Sequence, residues 1–396
     1  MIEAKTRAWW RATAALCLGS FLVFINLYAP QPLLPELKEA YGVSTLGISL
    51  LMSASTLSLA LALLVFGPLS DAIGREAIMR FTLLLAGGLS LALAFAPTFE
   101  SLLLLRLLQG FVLGGLPAVA IAWMGDEFDK PALLSAVGLY IGANSLGGIS
   151  GRIVGGGASA VGGPGAAFLA VGAMTIIGCV LFWRLLPNSR AFQPKRFELR
   201  QALSDLAGHL RTPLLLAAYC LGGINFLIFI NQYSYITFRL AEAPYHLAAS
   251  GLGLIFLTYL GGTLGSTVSG KLAGRFSPAS CIGMGIVILM LGTAITLAES
   301  LVGILVGLTI NAFGFFLAHS LASSWVGRYA QGARGSASAL YLVFYYLGAS
   351  IGGFWLEPFW RWAQWQGVVV GSWLLLAVTL MIALGMRRVE RRLASA

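Results

Sequence analysis

Charge is what this sequence has least of. Of its 396 residues, 25 are Lys or Arg and 15 are Asp or Glu, a charged share of 10%, against roughly 25% in soluble globular chains. That leaves too little polar surface to face water on all sides, which excludes an ordinary soluble domain. Carboxylates are the scarcer sign, and none of the 15 falls in the middle of an apolar run. The three histidines, His209, His246 and His319, stand at scattered depths. They form neither a base–nucleophile set nor a metal cluster, so no catalytic residue, no metal and no enzyme activity are expected. Cys17, Cys179, Cys220 and Cys281 lie singly in apolar stretches, which removes a disulfide framework and a zinc site. No Gly-x-x-x-x-Gly-Lys-Ser/Thr loop is present, so nucleotide drive is excluded within the chain and no cofactor is expected.

What is there is apolar, with 58% of residues hydrophobic. Runs free of Asp, Glu, Lys and Arg occupy Ala12–Pro35, Ala40–Ser70, Phe81–Phe99, Leu107–Gly125, Pro131–Gly151 and Ile153–Trp183. Six more follow at Thr212–Phe238, Ala243–Gly270, Phe276–Ala298, Ser300–Gly327, Gly335–Leu356 and Trp362–Met386. About 20 apolar residues cross a hydrocarbon core as a helix, and a barrel would show short alternating strands instead. The runs predict an all-α membrane protein of twelve spans.

The net charge of +10 invites a nucleic-acid partner, but its placement argues against one. With the N-terminus inside, only Lys38, Arg239 and Arg361 fall on the outer side, Arg106 and Arg152 fall within spans, and every other Lys or Arg falls inside. This positive-inside pattern sets both termini in the cytoplasm of a bacterial inner membrane. Lys5, Arg7 and Arg11 precede an apolar stretch too long for a signal-peptide core, which predicts an uncleaved first span. The longest polar segment, Pro187–Thr212, carries two prolines, a basic cluster and an amphipathic stretch over Phe197–Leu210, as expected of a cytoplasmic linker lying on anionic lipid. Around it the halves repeat. Phe24–Tyr28 of span 1 matches Phe229–Tyr233 of span 7, Ser135–Gly151 matches Ser336–Gly352, and Gly67–Arg75 has a weaker echo in Gly270–Arg275. The expected organisation is a six-helix bundle over 1–187, a linker over 188–211 and a second six-helix bundle over 212–396. Parallel halves of this kind are related by an axis along the membrane normal and hold substrate at mid-bilayer.

Gly67–Arg75, at the inner end of span 2, packs a Gly67–Pro68 breaker pair, Asp71, the permissive Gly74 and Arg75 into one short stretch. Arg75 has Asp126 or Glu127 within plausible reach, and Asp71 could cap a helix N-terminus. Gly67, Asp71, Gly74, Arg75 and Asp126 are therefore expected to form a conformational latch, the alternative being an ordinary charged turn. The stretch resembles the loop signature of the major facilitator superfamily. Arg106, Gln109 and Gly110 of span 4 resemble that superfamily's second motif, and Gly147, Gly151, Gly155 and Gly156 its third, found in drug/proton antiporters. The match departs at Arg152, where the family has proline. Tyr28–Pro35 resembles a bacterial YnfM-like efflux subgroup. The resemblance implies two pseudo-symmetric six-helix bundles whose spans 1, 7 and 10 line a cavity. It also implies contacts between halves through spans 5 and 8, and 2 and 11, whose glycine faces would let the halves rock.

Ionisable groups inside a membrane cost about 2.5–3.5 kcal/mol on insertion scales and mark function by default. Arg106 and Arg152 qualify, with Glu36 as the nearest counter-charge. These three are expected to form an outer polar cluster, and with His319 they are the candidates for proton coupling. The alternative is a fixed pin between spans 1, 4 and 5. The uncharged polar residues Asn26, Tyr28, Asn225, Asn231, Gln232, Tyr233 and Asn311 are the expected substrate contacts, with Asn26 and Asn231 as an equivalent pair; each could instead bond within its own half. The reading is a monomeric secondary transporter moving a small organic solute by alternating access, coupled to protons as an efflux antiporter. Symport of a sugar or organic anion is the alternative, and a channel, receptor or intramembrane enzyme fits less well. Partners are the solute, protons and membrane lipids, with no nucleic acid.

Overall fold

The computed structural model describes residues 1–189, 199–331 and 334–395, and within them the side chains of all but Asp71, Lys130, Leu134, 199–203, 205, 334 and 393–395. The described chain is a succession of helices: α1 Arg7–Tyr28, α2 Leu34–Tyr41, α3 Thr45–Ile73, α4 Arg75–Leu93, α5 Phe99–Leu113, α6 Gly115–Glu127 and α7 Lys130–Leu185. They continue as α8 Leu199–Leu210, α9 Pro213–Ala241, α10 Ala249–Leu254, α11 Tyr259–Ala273, α12 Pro278–Ile295, α13 Leu301–Tyr329 and α14 Arg334–Ser395. Many starts are fixed by short polar side chains. Thr6, Ser44, Thr98, Asp129, Ser277 and Ser300 each accept a first-turn backbone N–H that has no partner inside the helix.

Among the described residues, ten stretches are long and apolar enough to cross a membrane. The twelve runs of the sequence map onto these ten because α7 and α14 each contain a break, at Gly162–Gly163 and at Ala363–Gln364. Each arm beside a break is long enough to span. The α7 break falls at Gly163, not at Arg152 where the charge-free runs divide. Gly163 adopts φ 75°, open to glycine, and Pro164 after it cannot supply a helical N–H. The other end-of-span expectation also moves. The Gly67–Pro68 pair does not terminate its helix, since α3 runs through Pro68 to Ile73 and ends at Gly74, whose φ is 98°.

The chain divides into two compact units. Unit 1 is Met1–Leu199 with Leu247–Leu254, and unit 2 is Arg200–His246 with Ile255–Ala396. In unit 1, α7 packs along α1, α4 and α10, and α3 packs along α5. In unit 2, α9 packs along α14, and α13 along α11 and α12. Both units leave large apolar side chains exposed, among them Phe81, Leu85, Leu104 and Ile177 in unit 1 and Leu264, Leu291, Val302 and Met381 in unit 2. Such surfaces suit hydrocarbon as solvent.

The glycine faces serve packing inside each unit. A Cβ on Gly147, Gly151 or Gly155 of α7 would lie 2.5 Å from the carbonyl oxygens of Phe21 and Ile25 of α1 and of Ala29 at its C-cap, respectively. Gly348 and Gly352 of α14 press likewise on Gly223 and Leu227 of α9, and Gly261 and Gly265 of α11 on Thr309 and Phe313 of α13. These glycines were expected at a sliding surface between halves; they let helices of one unit touch backbone to backbone. Gly156 and Gly253 make the same kind of approach between α7 and α10, the contact of spans 5 and 8 that the family resemblance implies, and Leu247–Leu254 accordingly clusters with unit 1.

The contacts also set the register of the repeat. Gly147 meets Phe21 and Gly151 meets Ile25; their counterparts Gly348 and Gly352 meet Gly223 and Leu227. Position 26 therefore corresponds to Ile228, and Asn231 to Ala29. The sequence match of Phe24–Tyr28 with Phe229–Tyr233 is out of structural register, so Asn26 and Asn231 are not an equivalent pair.

Candidate functional site

Arg106 is fully buried in unit 1. Its Nη1 donates to Asn26 O at 3.2 Å and Gln109 Oε1 at 2.5 Å, its Nη2 to Leu27 O at 3.0 Å, and its Nε to Leu51 O at 3.5 Å. The reason lies in α1. The Asn26 carbonyl would ordinarily receive the N–H four residues on, but that residue is Pro30, which has none. The guanidinium, a planar fork of five donors, fills the vacancy from another helix. Among the described residues no carboxylate lies within ion-pair distance of Arg106.

Gln109, one turn from Arg106, extends the network. Its Nε2 donates to Ser90 Oγ at 2.7 Å and Asn26 Oδ1 at 3.3 Å, and Ser90 Oγ also donates to Asn26 Oδ1. Asn26 Nδ2 donates to Leu22 O and Thr175 Oγ1, both at 2.7 Å. Five polar side chains on α1, α4, α5 and α7 thus close on one another.

Arg152, also fully buried, donates Nε to Gln31 Oε1 at 2.8 Å and Nη1 to Gly148 O at 3.0 Å, and lies 4.1 Å over the ring of Tyr28. Glu36 accepts from Ser159 Oγ at 2.5 Å. The expected cluster of Arg106, Arg152 and Glu36 is therefore resolved into separate sites. Arg106 satisfies the broken end of α1, Arg152 holds the turn after it, and Glu36 is tied to α7 two turns beyond Arg152.

Unit 2 holds a smaller amide–hydroxyl network with no cation, and its α9 member, Gln232, answers to Pro30 and not to Asn26. Asn311 Nδ2 donates to Gln232 Oε1 at 2.7 Å and Thr293 Oγ1 at 2.9 Å, and Gln232 Nε2 donates to Thr293 Oγ1 at 3.2 Å. Counted from the caps Thr98 and Ser300, Asn311 answers to Gln109 and Leu308 to Arg106, and counted from the starts of α4 and α12, Thr293 answers to Ser90. The Asn311 Oδ1 atom is accordingly buried with no hydrogen bond. Asn225 is 2% exposed, and neither its Oδ1 nor its Nδ2 has a partner. Asn231 spends both amide hydrogens, on Leu227 O and Ala349 O at 2.9 Å each. Tyr233 Oη bonds Thr258 Oγ1 at 2.8 Å and donates to Leu308 O at 3.0 Å. His319 Nδ1 lies 2.9 Å from Tyr341 Oη, among the rings of Phe315, Phe316 and Tyr345.

The latch residues meet in part. Arg75 pairs with Asp126 and donates Nη1 to Ala122 O at 3.2 Å. Both partners of the ion pair belong to unit 1, joining α4 to α6. Gly74 supplies the positive-φ corner between α3 and α4, and a Cβ on Gly67 would meet nothing within 4 Å. The Asp71 side chain and linker residues 190–198 lie outside the described residues.

Sequence reasoning did not single out Ser90, Thr175, Thr293 or Ser159, because hydroxyls occur throughout the spans and nothing in their spacing sets these apart. Gln109 carried a usable signal: three residues after Arg106 on a helix, it shares that residue's face. Glu357 is buried near the end of the first arm of α14. It accepts from Tyr235 Oη at 2.9 Å and from Arg361 Nε at 2.8 Å.

A bundle of membrane-length helices carrying buried guanidiniums and amide networks is matched closely elsewhere. The profile of the Major Facilitator Superfamily covers residues 16–353. The chain is 36% identical over 382 residues to the uncharacterized MFS-type transporter YybF of Bacillus subtilis (strain 168), covering 96% of this chain and 95% of that protein. It is 35% identical over 392 residues to the inner membrane transport protein YnfM of Escherichia coli (strain K12), covering 99% and 93%. Among solved structures, a bacterial homologue of the human lysosomal transporter Spinster shares the fold with a TM-score of 0.74 at 16% identity, over 97% of this chain and 96% of that one. With its spans, its paired units and nearly its whole length accounted for, this chain belongs to the major facilitator superfamily of multi-pass membrane transporters.

Proposed function

We propose that this transporter moves a small organic solute across the bacterial inner membrane by alternating access, as a proton-coupled efflux antiporter with both termini in the cytoplasm. The charge distribution along the sequence supports the orientation, and the likeness to the inner membrane protein YnfM supports the compartment. The solute meets unit 2 at Asn225 and Asn311. One observation carries this assignment: Asn225 is buried with both amide atoms unbonded, and Asn311 keeps an unbonded oxygen. A buried amide without partners costs stability, and a ligand that supplies those partners recovers it. Asn26 and Asn231 take a lesser part, since both are engaged inside their own units.

Two measurements test the reading. In proteoliposomes with an imposed pH gradient, screened with cationic drugs, sugars and organic acids, transport of the cognate solute rises with the gradient. Flux indifferent to the gradient rejects proton coupling, and flux driven inward with the proton establishes symport. Asn225→Leu removes the two unbonded atoms. It is expected to raise thermal stability while raising KM about tenfold, the equivalent of roughly 1.4 kcal/mol. A less stable variant with unchanged KM would place Asn225 in the packing alone.

A further inference from the structure

Unit 1 contains a cavity of about 500 Å³ beside the Arg75–Asp126 pair, outside the residues assigned to the solute. It lies between α4, α6 and the end of α7, and its walls include Arg80, Phe81, Trp123, Trp183, Asn188 and Ser189. Its size is within the roughly 300–1,000 Å³ range of small-molecule sites. We infer that this cavity seats the phosphate ester of one membrane phospholipid.

The chemistry of the walls selects an oxyanion. Arg80 donates Nη2 to Leu186 O and to Asn188 Oδ1, each at 3.2 Å, and its Nη1 stands 3.7 Å from Glu76. Its Nε is buried with no acceptor. Trp123 is 1% exposed, and its indole N–H is likewise buried and unbonded. Arg80 and Trp123, on different helices, both line the cavity, and each keeps one buried N–H without an acceptor. A phosphate has acceptor oxygens enough for both, and arginine forks match it well. The two carboxylates on the wall are already engaged: Glu76 faces Arg80 and accepts from Ser189 N, and Asp126 pairs with Arg75.

The surroundings select a lipid over a soluble phosphate. Phe81 and Trp183, at the rim, are 60% and 41% exposed. From them an apolar strip continues through exposed Leu84 and Leu85 on α4 and Ile177 and Val180 on α7. Aromatic rings beside arginines at the end of membrane-spanning helices mark the headgroup level, and the strip beyond gives acyl chains a track.

The test uses the full-length protein purified in mild detergent and washed, with bound lipid counted by native mass spectrometry. After incubation with phosphatidylglycerol the wild type retains one lipid through the wash. Arg80→Gln binds it at least tenfold more weakly. Trp123→Phe, which removes only the N–H from a side chain of similar shape, binds it severalfold more weakly and guards against a misfolded Arg80→Gln. Galactosyl diacylglycerol, which has tails but no phosphate, is not retained. Wild type that retains no lipid, variants that both match the wild type, or equal retention of the galactolipid overturns the inference. Inorganic phosphate that displaces the lipid at equal concentration overturns the assignment to a lipid.

Discussion

Arg106 offers a prediction in which charge and geometry pull apart. Replacing it with Lys keeps the charge and discards the fork. Three of its bonds are close, to Asn26 O, Leu27 O and Gln109 Oε1, while the contact to Leu51 O at 3.5 Å is marginal. Hydrogen bonds from a charged donor contribute about 1.5–3 kcal/mol each. Together they outweigh the roughly 2.5–3.5 kcal/mol cost of the buried charge. A lysine ammonium reaches one of those acceptors, so it bears the full burial cost against a single bond. Glutamine also reaches one acceptor but carries no charge. Arg106→Lys is therefore expected to be less stable than Arg106→Gln by about 1–2 kcal/mol, with both below wild type. The assay is thermal unfolding of detergent-purified protein, read by the monodisperse fraction after heating. A lysine variant as stable as wild type refutes the reasoning, because it would show that charge alone, not the three-point grip, holds α1. Transport by the same variants separates the roles: activity kept by Lys and lost by Gln assigns the charge to coupling, and parallel loss assigns Arg106 to positioning.

Gly151→Ala, whose Cβ would lie 2.5 Å from Ile25 O, is expected to cost about 1–3 kcal/mol and to lower the yield of folded protein, whereas Gly157→Ala, with nothing within 4 Å, leaves it unchanged. The Arg75–Asp126 pair is partly exposed, 15% and 39% at the two side chains, so a double-mutant cycle with Arg75→Gln and Asp126→Asn should give a coupling of about 0.2–1 kcal/mol or less, shrinking in high salt. Tyr235→Phe strips the hydroxyl from buried Glu357 and should lower thermal stability by about 1–3 kcal/mol; Arg361→Gln, whose side chain is 67% exposed, should cost less. Each is read by the same heating assay.

The fold was legible because its cause is the solvent. Charge-free runs locate the spans wherever charges sit at the membrane surface, and they misplace a boundary where a charge is buried, as at Arg152, or where the turn needs no charge, as at Gly163. The family was legible through Gly67–Arg75 and the glycines of span 5. The site was legible only in part. Burial of Arg106 and Arg152 follows from their place in apolar runs, but their partners do not. Sequence reasoning looked for a carboxylate, and the guanidinium of Arg106 found backbone carbonyls, which every residue carries and no sequence pattern marks. The false pairing of Asn26 with Asn231 has a related source. A short apolar motif recurs easily at a shifted position, and register is decided by where helix backbones touch. The glycines recorded those contacts, but only the coordinates show which carbonyls they face.

The grip of Arg106 on α1 binds two distant positions into one inherited unit. Pro30 creates the need by withholding an amide hydrogen, and Arg106 meets it from another helix. A homologue with an ordinary residue at position 30 could regain its own local bond to the carbonyl of Asn26, leaving an arginine at 106 with Leu27 O and Gln109 Oε1 as its acceptors. A lone Pro30→Ala change should therefore make Arg106 easier to replace than it is now, by the worth of one bond of its three.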